Sequence, residues 1–188
     1  RTTYTLSAGA DDVDNMSITS ANQLFGNFWE ASYSGIFRAN SVLANIDNPT
    51  DYKGQQKDQF IGEAKFMRAL FYFDMVRLFG GVPKVTTLLT IEEGKSMPRA
   101  TKEEIYDLIV SDLKDAITAL PPKANMAKGR VSNGVAAALL GKVYVYLKDW
   151  ANAKIYLDMM PGYGYTLQND FTSLWKLENE DNAELIFA

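Results

Sequence analysis

The chain has 188 residues, of which 47% are hydrophobic and 22% charged, a balance typical of a globular protein with a sizeable core. Its net charge of −4 gives no basic surface of the kind that binds nucleic acid. Because cysteine and histidine are both absent, this chain by itself excludes disulfides, thiolate or histidine metal sites, a cysteine nucleophile and Ser-His-Asp catalysis.

Residues 1–19 form a polar, turn-rich segment. Asp11, Asp12 and Asp14 cluster there, close to Gly9. Three interpretations stay open: a solvated loop, a hydrogen-bonding loop for a polar ligand, and a calcium loop. Against the last of these, the spacing of an EF-hand with its glycine and terminal glutamate is missing.

A long amphipathic helix is predicted from about Ala21 to Asp47. Apolar side chains recur there every three or four residues, and Pro49 closes the pattern. Trp29 lies on the apolar stripe, which favours a position in the core over contact with a ligand.

A second helix occupies most of Glu63–Pro83, which reads EAKFMRALFYFDMVRLFGGVP. Apolar residues cover nearly every side of this helix, which predicts that other elements pack around it. Gly80 and Gly81 end the helix, because a chain leaving a helix usually needs a left-handed residue. Pro83 then prevents the helix from resuming.

Two charged side chains, Glu63 and Arg68, lie on this predicted core helix. A buried charge is costly unless it is paired, so we expect each to pair, either with the other or with neighbouring helices. Both are therefore assigned a structural role, and a catalytic acid at Glu63 is the functional alternative.

Residues 82–100 form a long excursion that lacks a helical period. The next helix has a clear start, because Thr101 and Glu104 fit a capping box in which each side chain satisfies the other residue's backbone donor. Its apolar stripe runs to Leu120, and its opposite face is polar and should meet water.

A glycine-containing loop at 123–131 carries Lys123, Lys128 and Arg130. Three such charges on a loop favour solvation over a phosphate site. Near the end of the chain, Glu184–Phe187 is predicted as a final strand.

Two further helices, Asn133 to about Lys148 and Trp150 to Met160, form a short-looped antiparallel pair, with Ser132 positioned to cap the first. Their residues match the tetratricopeptide pattern, in which small residues let two helix backbones approach and larger ones fill the space beside them. The matching positions are Gly141, Tyr144, Ala153 and Leu157.

The helices at 63–79 and 102–120 are predicted to form a second, less regular pair. Ala69 and Tyr72 repeat the offset between Gly141 and Tyr144. The predicted fold is all-α: a single domain over 1–188, built from tetratricopeptide-like helical hairpins in an αα superhelix with long irregular loops. Its most regular hairpin spans 133–160.

Four stretches of the chain resemble, in this order, the SusD/RagB family of outer-membrane nutrient-binding lipoproteins. They are Trp29-x3-Tyr33-x2-Ile36-x3-Asn40; Gly62–Ala69 continuing to Arg77–Pro83; Arg99-x-Thr101-x2-Glu104-Ile105-Tyr106 with Asp112-Leu113; and Gly129–Ser132 with Tyr165-x-Leu167 and Glu184–Phe187. Family members are much longer, so the chain is expected to be an N-terminal-half segment. A signal sequence and a lipidated cysteine would lie upstream of it.

The resemblance implies a binding protein rather than an enzyme, located as a surface-exposed lipoprotein at the cell outer membrane. It would capture glycans or other nutrients and pass them to a SusC-like TonB-dependent transporter. No cofactor, metal or nucleic acid is implied, and the only membrane contact would be a lipid anchor absent from this segment. Tyr4, Asp11 and Asp12 are predicted to bind the ligand, because the polar segment before the first long helix helps form the site in relatives.

Two other functions compete with this interpretation. One is a tetratricopeptide-type protein-interaction scaffold without glycan binding, although the excursion at 82–100 interrupts the regular repeat. The other is a glycoside hydrolase, which needs two carboxylates facing a cleft, and no motif of the sequence places such a pair.

Overall fold

A computed structural model of the chain describes residues 15–19, 22–179 and 182–187. Within these ranges the regular structure is helical, and the nearest approach to a sheet is an isolated antiparallel bridge between Pro83 and Arg99. The predicted all-α fold class is confirmed. The α-helices are α1 (Gln23–Ala44), α2 (Gln56–Phe79), α3 (Ile91–Ser96), α4 (Lys102–Ala119), α5 (Asn133–Tyr146) and α6 (Trp150–Leu157).

The long helices pack in chain order, α1 on α2, α2 on α4, α4 on α5 and α5 on α6, as in an αα superhelix. α2 lies between α1 and α4 and supplies much of the buried apolar core, including Phe66, Tyr72 and Phe73. The prediction of a central buried helix is therefore confirmed. Leu78 is an exception, because it is exposed although it lies on the apolar pattern.

Two glycines decide how closely the first helices approach. A Cβ atom at Gly35 of α1 would lie 2.2 Å from Cε2 of Phe71, so the Phe71 ring of α2 occupies the space that a side chain would take. In the next pair, a Cβ at Gly62 of α2 would lie 2.8 Å from Cγ of Leu120, at the end of α4. Leu120 thus packs on Gly62, which lies two helical turns before Ala69.

The turn after α2 depends on both of its glycines. Gly80 has a φ of 72°, the left-handed region that favours glycine. A Cβ at Gly81 would lie 2.1 Å from the carbonyl oxygen of Ala100, so only glycine lets the two chain segments come this close. Arg99 donates from Nη2 to the Phe79 carbonyl and from Nε to the Gly81 carbonyl, at 2.6 Å each.

The excursion after this turn contains a short helix, α3, that the sequence pattern did not predict. Thr90 and Glu93 form a complete capping box at its start, as Thr101 and Glu104 do at the start of α4, where one was predicted. With six residues, α3 is too short to show an apolar period, and its side chains are exposed.

Three other local predictions are wrong. Glu184–Phe187 forms no strand, although the amide of Thr166 donates to the carbonyl of Ala183 at 3.1 Å. Ser132 stands at the cap position of α5 without a side-chain capping bond, because its Oγ lies 3.3 Å from the hydroxyl of Tyr165 instead. α6 ends at Leu157, whereas the sequence predicted that it would continue to Met160. A 3₁₀ turn that contains Pro161 follows at Met160–Tyr163.

Candidate functional site

The three residues predicted to contact a ligand, Tyr4, Asp11 and Asp12, lie outside the described residues. They precede the start of α1, where the side chain of Asn22 caps the helix by accepting a hydrogen bond from the amide of Leu24 at 3.0 Å. The prediction for these three residues therefore stays a prediction.

An aromatic cluster follows directly in α1. The ring centroid of Trp29 lies 5.1 Å from that of Tyr33 and 5.1 Å from that of Phe79, and Phe25 and Phe28 also contact Phe79. These rings bind α1 to the end of α2 by edge and tilted contacts. Trp29 thus belongs to the packing of the scaffold, as its place on the apolar stripe predicted.

Arg68 is the centre of a buried polar network. Its guanidinium binds both carboxylate oxygens of Asp112 on α4, Nε to Oδ2 and Nη2 to Oδ1, at 2.8 Å each. Its Nη1 donates to Oδ1 of Asn40 on α1 at 2.8 Å and to the carbonyl of Thr86 at 3.2 Å. All three side chains are almost fully buried, so this charge pair is compensated by fixed partners rather than by water.

The same network holds the segment 83–87 of the excursion. Asn40 donates from Nδ2 to the carbonyls of Val85 and Thr87, at 3.1 and 3.2 Å. The Tyr72 hydroxyl donates to the Val85 carbonyl at 3.1 Å and accepts from the Val85 amide at 2.6 Å. An extended segment thereby finds partners for its backbone without joining a sheet.

Burial changes the acidity of the two phenols beside this segment. Desolvation raises the pKa of Tyr72 to about 12, although its bond with the Val85 backbone acts in the opposite direction. Tyr33 donates to the Pro83 carbonyl at 2.7 Å, and burial raises its pKa as well. Both phenols are hydrogen-bond donors in their neutral form, which matches a structural role.

Glu63 pairs with a different partner, in the loop before α5. Nε of Arg130 lies 2.9 Å from Oε1 of Glu63, and Nη2 of Arg130 lies 2.5 Å from Oε2. The Arg130 guanidinium also lies 5.5 Å from the ring centroid of Phe60. Glu63 and Arg68 therefore do not pair with each other, and Glu63 ties the basic loop to α2.

The α5–α6 hairpin contains the four residues of the tetratricopeptide pattern. A Cβ at Gly141 would lie 2.7 Å from Cγ and Cδ2 of Leu157, which covers the glycine while remaining partly exposed itself. The rings of Tyr144 and Tyr156 are stacked with centroids 5.7 Å apart and planes 15° apart. Ala153 is buried between the helices.

A cleft of about 670 Å³ opens between the loop 123–132 and the segment 182–187. Its wall includes Lys123, Lys128 and Tyr165, with no carboxylate side chain among the lining residues. Lys123 Nζ lies 4.4 Å from the ring centroid of Tyr165, and Tyr165 is itself buried. The cleft therefore offers polar groups but no open tyrosine face on which a sugar ring could stack.

Two further clefts each have one carboxylate among their lining residues. Asp51 lines one and Glu63 the other, the latter in its ion pair with Arg130. Glycoside hydrolysis needs two carboxylates that face the same cleft, and none of these three clefts is lined by two. The described residues contain no group of three acidic side chains placed to hold a metal ion.

None of the helices in the described part of the chain combines the length and the apolar composition that a membrane span needs.

Comparison with known proteins gives a family. A model of the SusD-like family, described as starch-binding and associating with the outer membrane, matches residues 4–145. A SusD-like protein of Bacteroides ovatus is 27% identical over 185 residues, which cover 91% of this chain and 34% of that protein. SusD-like protein P25 of Formosa agariphila is also 27% identical, over 85% of this chain and 31% of that protein. The chain thus spans about a third of the length of these curated relatives.

Solved structures agree with this assignment. A laminarin-binding SusD-like protein is 36% identical, with a TM-score of 0.89 over 96% of this chain and 40% of that chain. A SusD-like protein from Bacteroides fragilis is 32% identical, with a TM-score of 0.83 over 91% of this chain and 34% of that chain.

Proposed function

This chain belongs to the SusD-like family, and from that membership we propose that the full-length protein binds a glycan or another nutrient at the cell surface. It would deliver the ligand to a SusC-like TonB-dependent transporter and be held at the outer membrane by a lipid anchor. The observation that carries the proposal is the match of the starch-binding family model to residues 4–145.

The chemistry of glycan capture explains which residues we assign to the site. Sugar rings present apolar faces that pack on aromatic rings, and their hydroxyls bind carboxylates and amides. Tyr4 would supply the ring, and Asp11 and Asp12 would accept hydrogen bonds from hydroxyl groups. The scaffold follows these residues in the chain, since α1 begins at Gln23, eleven residues after Asp12.

Two aromatic side chains of the described scaffold, Trp29 and Tyr165, are occupied by packing contacts rather than left open as a sugar platform. The helical scaffold is held by its own side chains, including the Arg68–Asp112 pair. Ligand contacts would accordingly come from loops around the scaffold, as is common for binding proteins.

Calorimetric titration of the full-length protein with starch and laminarin oligosaccharides tests the proposal. We expect one of these glycans to bind, and Asp11→Ala and Asp12→Ala each to weaken binding by about 10-fold, the scale of a lost charge-assisted hydrogen bond. The matched control is Asp107→Ala, on the exposed face of α4, which should bind like the wild type. Wild-type affinity in both loop variants would refute the site, and no binding of either oligosaccharide would refute these two glycans as ligands.

One specific observation favours a second candidate function. The Gly141–Leu157 contact and the Tyr144–Tyr156 stack show that the α5–α6 hairpin has tetratricopeptide-like packing, and such hairpins often bind protein segments. The protein would then be an interaction scaffold without glycan binding. Affinity capture with the full-length protein distinguishes the two. The first proposal expects a TonB-dependent transporter to be captured, and the second expects a peptide partner instead of a transporter.

A further inference from the structure

The excursion between α2 and α4 is held by hydrogen bonds rather than by buried apolar side chains. None of the residues 84–98, all of which the structure describes, is buried, and Val85, Leu89 and Met97 are half-buried at most. A segment with few buried apolar contacts has a low local stability, because little apolar surface must be exposed to open it. The position of the excursion therefore depends on its polar contacts.

Three buried side chains on two helices make these contacts. Asn40 on α1 donates from Nδ2 to two carbonyls of the segment, and Arg68 on α2 donates from Nη1 to a third. The hydroxyl of Tyr72, also on α2, both donates to and accepts from the backbone of Val85. We call Asn40, Arg68 and Tyr72 the latch. All of these bonds go to backbone atoms of residues 85–87, so the latch fastens one end of the excursion.

The neck of the excursion is closed by a separate set of contacts. The amide of Ala100 donates to the carbonyl of Val82 at 3.1 Å, and Arg99 donates to two carbonyls at the end of α2. The capping box of α4 begins directly after the neck. None of these contacts involves the latch, so the ends of α2 and α4 stay fixed when the latch bonds break.

We propose that residues 84–98 form a strap that opens as a unit about this neck while the helices stay folded. Asn40 controls the opening because its carboxamide is shared, with Nδ2 facing the strap and Oδ1 accepting from Arg68. Opening leaves Arg68 paired with Asp112 and lets water solvate the donors of the latch. The motion does not require the proposed glycan binding.

Asn40→Asp in the full-length protein tests the strap, because it keeps an acceptor for Arg68 but turns a carboxylate oxygen towards the two strap carbonyls. Trypsin cleaves after Lys84, an exposed residue of the strap, and at low trypsin concentration the rate follows the population of the open form. We expect this rate to rise about tenfold or more, the scale of two lost hydrogen bonds. The matched control is Asn45→Asp at the exposed end of α1, whose Nδ2 donates to Ser41 of its own helix and which should leave the rate unchanged.

An unchanged rate after Lys84 in Asn40→Asp would overturn the proposal. Cleavage after Lys65 in α2 that accelerates as much as cleavage after Lys84 would also overturn it, because the strap would then open only with the whole scaffold. Hydrogen exchange of the Val85 amide in the wild-type full-length protein decides the question even if the variant does not fold. Exchange that is faster than in the core of α2 and independent of low urea concentrations supports the strap, whereas exchange with the urea dependence of the core refutes it.

Discussion

Two helix pairs of this scaffold each pack a leucine on a glycine, but they differ in their polar contacts. Between α2 and α4, a charged side chain, Arg68, is buried with Asp112 and Asn40 in a continuous hydrogen-bond network. Between α5 and α6, Leu157 packs on Gly141, and the rings of Tyr144 and Tyr156 are stacked. The difference follows from what connects the helices of each pair.

α5 and α6 are joined by a tight turn in which Lys148 adopts a φ of 59° and the amide of Asp149 donates to the Tyr144 carbonyl at 3.0 Å. Such a turn satisfies its own backbone, so small residues suffice to let the helices meet. α2 and α4 are separated by the excursion, whose segment 83–87 lies against the helices and needs partners for its carbonyls. The polar network is thus the means by which a helical pair accommodates an inserted segment.

The largest expected effect comes from removing the counterion of the network. Asp112→Ala leaves the Arg68 guanidinium buried without its bidentate partner, and we expect the free energy of unfolding to fall by about 3–5 kcal/mol. Urea denaturation measures this change. The matched control is Asp115→Ala on the same helix, whose pair with Lys65 is half exposed and should be worth at most about 1 kcal/mol. Equal losses in the two variants would show that the buried pair has no special role.

Because of this network, the free energy of unfolding should also depend on pH in the alkaline range. The pKa of Tyr72 is about 12 in the folded protein and 10.0 for an ordinary tyrosine, so the unfolded chain loses its phenolic proton first as the pH rises. The stabilisation is complete below pH 10 and is lost as the pH rises from 10 towards 12. Each pKa unit corresponds to about 1.4 kcal/mol, so the free energy of unfolding should fall by about 2–3 kcal/mol across that range because of this phenol.

Denaturation midpoints between pH 8 and pH 12 for the wild type and Tyr72→Phe measure this dependence. The variant should be less stable at pH 8, because the Val85 backbone loses a partner, but it should have a shallower decline above pH 10. Tyr33, whose pKa is also raised, continues to contribute in the same direction. Parallel curves for the two proteins would contradict a buried neutral Tyr72.

The α5–α6 pair should be destabilised by overpacking. Gly141→Val forces a side chain into the space of Leu157, and we expect a loss of about 1–3 kcal/mol, visible as a lower melting temperature. Gly26→Val is the matched control, because a Cβ at that helical position meets nothing closer than 3.9 Å. Combining Gly141→Val with Leu157→Ala should recover part of the loss, since the double variant relieves the same contact. An unchanged midpoint in Gly141→Val would refute the close approach.

These two pairs differ in how far the sequence could predict them. The Gly141, Tyr144, Ala153 and Leu157 spacing predicted the α5–α6 hairpin, because contacts between adjacent helices repeat with the helical period. The partner of Arg68 was missed, although Asp112 occurs at helical spacing with the buried Ile105, Ile109 and Ala116, so its side chain had to face the core. A polar residue on an apolar stripe is the signal that would have found it.

Other features of the structure could not be predicted from the local sequence pattern. α3 is a single capped turn and a half, too short for a period to identify. The strand expected at Glu184–Phe187 did not form, because β propensity depends on neighbouring strands and the described chain provides none there. The ligand residues Tyr4, Asp11 and Asp12 were chosen by position, since binding loops follow no periodic rule.

The smallest expected effect comes from breaking the ion pair between Glu63 on α2 and Arg130 in the loop that leads to α5. Glu63→Gln removes the charge while keeping the shape, and because the Arg130 side chain is 40% exposed, water screens much of the pair. We expect a loss of at most about 1 kcal/mol by urea denaturation, with glycan affinity unchanged. A weaker glycan affinity at unchanged stability would instead place Glu63 in the ligand site and assign the basic loop a binding role. Lys154→Gln, which breaks the more exposed pair with Asp158 on α6, is the control, and its effect should be smaller still.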